Sequence, residues 1–305
     1  MSAADLRTWH GRGHMVDATP LGHKAFVIDE GDPDAGAGET VVLLHGFPES
    51  SYSFSGALPL LEGRFKRVVS FDFIGFGFSA KPAGGFAYSL LEQADVALRV
   101  IREAGITGCH FVAHDMGDSV MTELLARFNH DCPDWFSDGP LSVTFTNGSM
   151  VLGDAKLRIG QRALVSPLGP LLARATDSLT VFEKQVTSAQ GNGKLDQEKI
   201  LDMYSASTSG APPGLMARLI NYLRERRRFE GPRWLPALRD ASMPVHICWG
   251  ADDAVAPVAI AHRLKEEVKP EATLTIIEGL GHFGQVQDPE SWFGGLAPFW
   301  EKAGA

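Results

Sequence analysis

Asp115 stands at the tip of a strand–turn–helix pattern, in the segment Cys109-His-Phe-Val-Ala-His-Asp-Met-Gly117. A short apolar run leads into it, and a stretch with helical character, Asp118 to Phe128, follows. Ala113 and Gly117, two before and two after the aspartate, are the small residues such a sharp turn needs, because backbones crowd there. A carboxylate presented on a turn can attack carbon. Attack on an acyl ester would give an unstable mixed anhydride. Attack on a saturated carbon gives an alkyl ester that water can later split. The aspartate therefore points to epoxides, alkyl halides or strained rings. A plain helix N-cap is the competing reading of the same residue.

Splitting an alkyl ester needs a base and a group that orients it. Of the ten histidines, His282 lies in Gly281-His-Phe283, in the last loop before the final helical stretch. His246 falls inside a strand pattern and His262 inside a helical one. His114, beside Asp115, reads first as a packing residue of the turn and second as a substrate contact. The orienting acid is expected between Asp115 and His282. Trp249-Gly-Ala-Asp-Asp253 supplies two carboxylates just past a strand, and the spacing from Gly250 favours Asp253 over the turn residue Asp252. Asn147, after the preceding strand, cannot serve as an ionised acid and is kept as a possible substrate contact. His45-Gly-Phe-Pro48 follows the first core strand, where the Phe47 N–H can face a developing oxyanion, with the Met116 N–H as partner. His45 itself either holds that loop together or touches substrate.

These residues need a scaffold. Apolar runs at Thr40–Leu44, Arg67–Phe71, Cys109–Ala113, Leu141–Thr146, Pro244–Trp249 and Thr273–Ile277 alternate with helical stretches such as Ser89–Ala104 and a last one over Pro289–Lys302. That alternation predicts an α/β fold, a mostly parallel sheet with helices on both faces, opened by a hairpin over His14–Ala18 and Lys24–Ile28. Between Ser149 and Pro232 the pattern is helical only: Ala155–Val165, Gly169–Ala175, Ser178–Ala189, Asp196–Ser205 and Pro213–Glu225. We expect a helical lid over 149–232, inserted between core parts 1–148 and 233–305. The glycine-rich Phe71–Ser79 lacks the spacing of a nucleotide fingerprint and reads as a tight loop capped by Asp72. Arg224-Glu-Arg-Arg-Arg228 reads as a solvated helix face, with an anionic partner as the alternative.

The chain has 305 residues, 44% hydrophobic, and a formal net charge of -9. The acidity disfavours nucleic acid as a partner. Three cysteines, Cys109, Cys132 and Cys248, make no disulfide framework and show no metal-ligand spacing. No metal or cofactor is expected. No apolar run approaches the roughly 20 residues of a membrane span, the start lacks an apolar signal core, and a cytoplasmic monomer or homodimer is expected.

With His45-Gly-Phe-Pro-Glu-Ser50, Ala113-His-Asp-Met-Gly117, Gly250-Ala-Asp-Asp253 and Gly281-His282 in this order, the chain resembles the α/β-hydrolase family. Within it, the chain resembles the epoxide hydrolase and haloalkane dehalogenase branch. Phe73–Pro82, His114–Asp118, Asn147–Ser149 and Asn221–Phe229 further resemble the group of the mesoderm-specific transcript protein and its bacterial relatives. The resemblance implies a helical lid, a nucleophile–acid–histidine triad of Asp115, Asp253 and His282, and hydrolysis without a cofactor. It also exposes departures. Dehalogenases of the branch place Trp after the nucleophile and often Asn after the His-Gly to hold halide; here Met116 and Phe47 stand there. Epoxide hydrolases use two lid tyrosines as proton donors. The lid offers Tyr204 and Tyr222, and Tyr222 is one residue off the family position. The expected substrate is a small, largely apolar electrophile, an epoxide first, then a haloalkane or strained lactone. A hydrolase-fold protein that traps a ligand with little turnover is the rival reading.

Overall fold

The computed structural model describes residues 6–130, 134–169 and 178–303. Its sheet has eight strands: β1 (His14–Asp17), β2 (Lys24–Gly31), β3 (Thr40–Leu44), β4 (Arg67–Phe71), β5 (Gly108–His114), β6 (Gly139–Thr146), β7 (Val245–Gly250) and β8 (Thr273–Ile277). They lie in the order β1-β2-β4-β3-β5-β6-β7-β8. β1 pairs antiparallel with β2, and β2 with β4. All other pairs are parallel. The expected hairpin and sheet are both present.

The central strands are largely apolar because both faces are covered. Every residue of β3, β4, β5 and β7 is buried. Alternation still sorts the side chains. Val42, Leu44, Phe111 and Ala113 face one apolar layer, with helices α1 (Leu90–Glu103) and α2 (Met116–His130) on it. Val41, Leu43 and Val112 face the other, against Trp292, Leu296 and Trp300 of the final helix, Pro289–Ala303. That second layer also holds Trp9, from a short helix over Leu6–Arg12 that the sequence pattern does not suggest. The Ser89 hydroxyl and Glu92 carboxylate close a reciprocal cap at the start of α1. Asp72 accepts from the N–H groups of Ser51 and Phe78, the loop-capping role expected of it.

From β6 to β7 the described residues contain no strand. Helices α3 (Ile159–Val165), α4 (Leu179–Gln190), α5 (Gln197–Thr208) and α6 (Tyr222–Phe229) occupy this stretch. α3 starts later than expected: the Lys156 N–H is tied to the Val255 carbonyl, which holds the chain extended up to Arg158. The helix expected over Pro213–Glu225 is two pieces, Met216–Leu219 and α6. Of the helix expected over Gly169–Ala175, residues 170–175 lie outside the described residues.

β3 leads to β4 on one side, while β5 lies on its other side, so the direction of the strand order reverses at β3. In parallel sheets ligands bind at such switch points, outside the carboxyl ends of strands. Phe47, Asp115, Asn147, Asp253 and His282 all follow the carboxyl ends of strands, β3, β5, β6, β7 and β8 respectively.

Candidate active site

Asp115 joins β5 to α2 with φ 46°, a left-handed conformation uncommon for a residue with a side chain. Such a backbone persists only when its surroundings over-determine it. Here the Asp115 N–H donates to the Thr146 carbonyl at 3.1 Å, and the Asp115 carbonyl accepts from Asp118 N–H at 3.2 Å. The neighbours must be small. A Cβ on Gly117 would sit 2.4 Å from the Leu44 carbonyl oxygen, and one on Gly46 would sit 2.7 Å from the Asp115 Cβ. The loops after β3 and β5 thus press together, and the Phe47 N–H donates to Asp115 Oδ2 at 3.0 Å. Met116 opens α2, so its N–H is one of those with no intrahelical acceptor.

His282 and Asp253 meet as expected: Nδ1 and Oδ2 are 2.8 Å apart, and both side chains are buried. Asp253 Oδ1 accepts from the N–H groups of Val255 and Ala256 at 2.7 and 2.8 Å, which locks its plane. Asp252 remains in the turn, its N–H bound to the Leu280 carbonyl. Burial alone would lower the His282 pKa. The charge and hydrogen bond of Asp253, with Asp115 and Glu49, outweigh it and raise the pKa to about 9. Asn147 is used differently from the substrate contact expected of it. Its amide donates to Asp253 Oδ2 at 2.7 Å and accepts from the Gly250 N–H at 3.0 Å, so it positions the acid.

His45 and His114 are structural groups of the site rather than open surfaces. His45 Nδ1 bonds the Gly46 carbonyl, and its Nε2 accepts from the Phe73 N–H. Burial lowers its pKa. His114 Nδ1 lies 3.0 Å from the Thr146 carbonyl. Burial, then the His282 charge, lowers the His114 pKa to about 3. Its Nε2 lies 3.2 Å from Glu49 Oε2. Burial raises Glu49 to about 8, so at neutral pH this contact joins two mostly uncharged groups and is no salt bridge. Glu49 also accepts from the Gly46 N–H and from the Gln285 amide.

Arg226, expected on a solvated helix face, is instead 0% exposed. Its Nη2 donates to the Asp115 carbonyl at 2.6 Å and lies 3.6 Å from Asp115 Oδ1. Nε donates to the Ser119 hydroxyl, and Nη1 to that of Ser149. The buried carboxyl of Asp118 feels the same cation, though burial still raises its pKa well above the ordinary value. The Arg226 guanidinium lies 4.7 Å from the Tyr222 ring centroid, a cation–π distance. Tyr222 packs on Phe47, with ring centroids 5.6 Å apart. Burial, then the Asp115 charge, holds its phenol pKa well above the ordinary range. Tyr204 instead packs edge to face on Phe182, in a cluster with Val186 and Phe283, and none of its described contacts reaches Asp115.

A cavity of about 30 Å³ opens over His282, Phe47 and Phe283. Among the described residues no group of His, Cys, Asp and Glu is placed to hold a metal, and no helix is long and apolar enough to cross a membrane. Cys109 and Cys248 are buried and free; Cys132 lies outside the described residues.

The titrations predict a stability optimum. Burial lowers His110 and His246 to about 4, and His114 to about 3. Below about pH 6.5 the unfolded chain therefore binds protons that the folded chain refuses, and stability falls as pH drops toward those values. Glu49 and His282 act in the opposite sense. Their raised pKa values make the folded chain hold protons longer, so stability is lost between about pH 4.5 and 8 for Glu49, and between about 6.5 and 9 for His282. The four histidines lowered by burial, His45 among them, outweigh Glu49 and the raised Asp118 below about pH 6.5, and the raised acids and His282 dominate from there to about pH 8. The urea midpoint is expected to peak near pH 6.5. A midpoint climbing steadily to pH 9 would contradict this assignment.

The arrangement of strands, the turn at Asp115 and the buried His282–Asp253 pair has relatives. A family model described as alpha/beta hydrolase fold matches residues 39–289. LipZ of Mycobacterium tuberculosis is 36% identical over 298 residues, covering 96% of both chains. The mesoderm-specific transcript protein of Mus musculus is 30% identical over 293 residues, covering 93% of this chain and 84% of that one. Among solved structures, haloalkane dehalogenase DbeA from Bradyrhizobium elkani USDA94 superposes with a TM-score of 0.74 at 21% identity, covering 96% and 98% of the two chains. At that identity the likeness is one of fold. With the family model spanning most of the chain and the relatives nearly all of it, the chain belongs to the α/β-hydrolase fold family.

Proposed function

We propose that the chain hydrolyses small electrophiles in two steps through Asp115, with epoxides as the first substrate class. The observation that carries this reading is the carboxylate on the elbow, its Oδ2 on the Phe47 N–H, beside a buried His282–Asp253 pair. In the first step Asp115 Oδ1 attacks a ring carbon, the C–O bond breaks, and the freed alkoxide takes a proton. Tyr222 is the donor that the packing on Phe47 favours. In the second step His282 takes a proton from water, and the hydroxide adds to the Asp115 carboxyl carbon. The oxyanion forms on Oδ2, where the Phe47 N–H already points and the Met116 N–H would assist. Collapse breaks the bond from the Asp115 carboxyl carbon to the alkyl-bearing oxygen. The leaving alkoxide takes the proton held by His282, and the new carboxyl returns a proton to the Tyr222 phenolate, which restores the carboxylate.

The His282 titration suits this order. Its pKa of about 9 rests partly on the charge of Asp115. Esterification removes that charge, so the imidazole loses its proton more readily once the intermediate exists. Alkyl halides are the second class, and strained lactones follow. The residues at 47 and 116 supply no side-chain donor for a leaving halide. The helices between β6 and β7 form the lid in this reading. A second reading is favoured by Arg226: a cation 3.6 Å from Oδ1 damps nucleophilicity, which suits a ligand-trapping protein with little turnover.

Asp115→Ala separates the two. We expect turnover of a panel of small epoxides by the wild type and a fall of at least about a thousandfold in the variant. Ligand-induced stabilisation without turnover in the wild type would favour the trapping protein instead.

A further inference from the structure

The cavity over His282 carries polar groups that the mechanism above leaves unused. Arg158, Gln161 and Gln185 line it beside Phe47, Val186 and His282. Arg158 precedes α3, and the cap of that helix is made by its backbone: its N–H donates to Gln161 Oε1 at 2.8 Å. The guanidinium takes no part in that cap. One Nη2 N–H is anchored to the Ser188 carbonyl, which orients the fork. The Nε–H is buried with no hydrogen-bond partner, and no carboxylate pairs with Arg158 among the described residues. A buried donor left unmade is costly, and a guanidinium more so. No Asp or Glu lines this cavity. The acids nearest the chemistry have their own partners, Asp115 in Arg226 and Asp253 in His282.

We infer that Arg158, with Gln185 beside it, is an anion subsite for a carboxylate on the substrate. The planar fork of arginine matches a carboxylate better than a neutral oxygen. The cavity, of about 30 Å³, has room for a small polar group beside the Arg158 fork. The preferred electrophile is then a small epoxy acid rather than the apolar epoxide that composition alone suggests. The electrophile half of this statement rests on the proposed function; the anion half does not.

The test compares 3,4-epoxybutanoate with 1,2-epoxybutane, and butanoate with butan-1-ol as unreactive probes, in wild type, Arg158→Gln and Arg158→Lys. The wild type is expected to favour the epoxy acid in kcat/KM by about tenfold or more, the worth of a charge-assisted hydrogen bond. Arg158→Gln loses that ratio, and Arg158→Lys keeps part of it. Calorimetry shows butanoate binding to the wild type and not to Arg158→Gln. Equal kcat/KM for the two epoxides, or a preference that survives in Arg158→Gln while Arg158→Lys is folded, overturns the subsite. If neither epoxide is turned over, butanoate decides alone. Its loss in Arg158→Gln upholds the subsite while the epoxide reading fails, and equal binding by both proteins removes the subsite.

Discussion

The His282→Gln variant, incubated with a reactive epoxide, is expected to gain the full mass of that epoxide on Asp115 and to keep it. Alkylation needs only the carboxylate and a proton donor. Hydrolysis needs a base for water, and glutamine is none. The side chain keeps much of the imidazole's shape, so the buried Asp253 still has a donor nearby. Loss of general base catalysis slows a step by about 10²–10⁴-fold, enough for the ester to outlast protein mass measurement. A bromoalkane would instead add its alkyl group and lose bromide. The adduct mass therefore reports the bond broken, and peptide mapping reports the residue. An adduct on any residue other than Asp115 would sink the proposed mechanism.

Arg226→Met is expected to destabilise the protein by about 3–5 kcal/mol, the usual cost of removing one partner from a buried ion pair. The arginine is wholly buried and ties together the Asp115 carbonyl and the hydroxyls of Ser119 and Ser149. Methionine fills similar volume but leaves these acceptors and two buried carboxyl groups, Asp115 and Asp118, without their cation. Arg226→Lys keeps the charge and loses the fork, so it should fall between. The decisive measurement is a double-mutant cycle with Asp115→Asn by urea denaturation. Arg226→Met should cost at least about 1 kcal/mol less when Asp115→Asn is already in place, since the charge it compensates is gone. An identical cost in both backgrounds would show that the cation acts through the hydroxyls and not through Asp115.

The sheet is legible in the sequence because its strands are short, largely apolar and separated by turns, a pattern that helices of this length do not share. β3, β4 and β8 fall on the expected residues. The elbow is legible because steric crowding restricts the residues at 113 and 117. Arg226 is not. Among Arg224, Arg226, Arg227 and Arg228, nothing in the pattern distinguishes the one that turns inward, and its partner lies 111 residues earlier. Asn147 stands out in the sequence only as an amide where an acid would fit; its role emerges once Asp253 and Gly250 are seen on either side of it. Glu49 sits inside a recognisable motif, yet the burial that raises its pKa comes from the folded site, where a donor as far along the chain as Gln285 reaches it. Tyr222 reads as one position out of register. Its ring reaches Phe47 because the helix expected across it breaks and restarts at that residue.

The contact between α6 and the elbow bears on how far this enzyme can be rebuilt. Segments that cover an active site are natural units to exchange when a new specificity is sought. In this chain the segment between β6 and β7 carries Arg226, so a transplanted cover from another hydrolase would remove the cation beside Asp115, the proposed nucleophile, along with the pocket. A chimera made that way should inherit a crippled elbow whatever its new walls can hold. A graft that ends before Asn221, leaving α6 native, would change the walls and spare the chemistry.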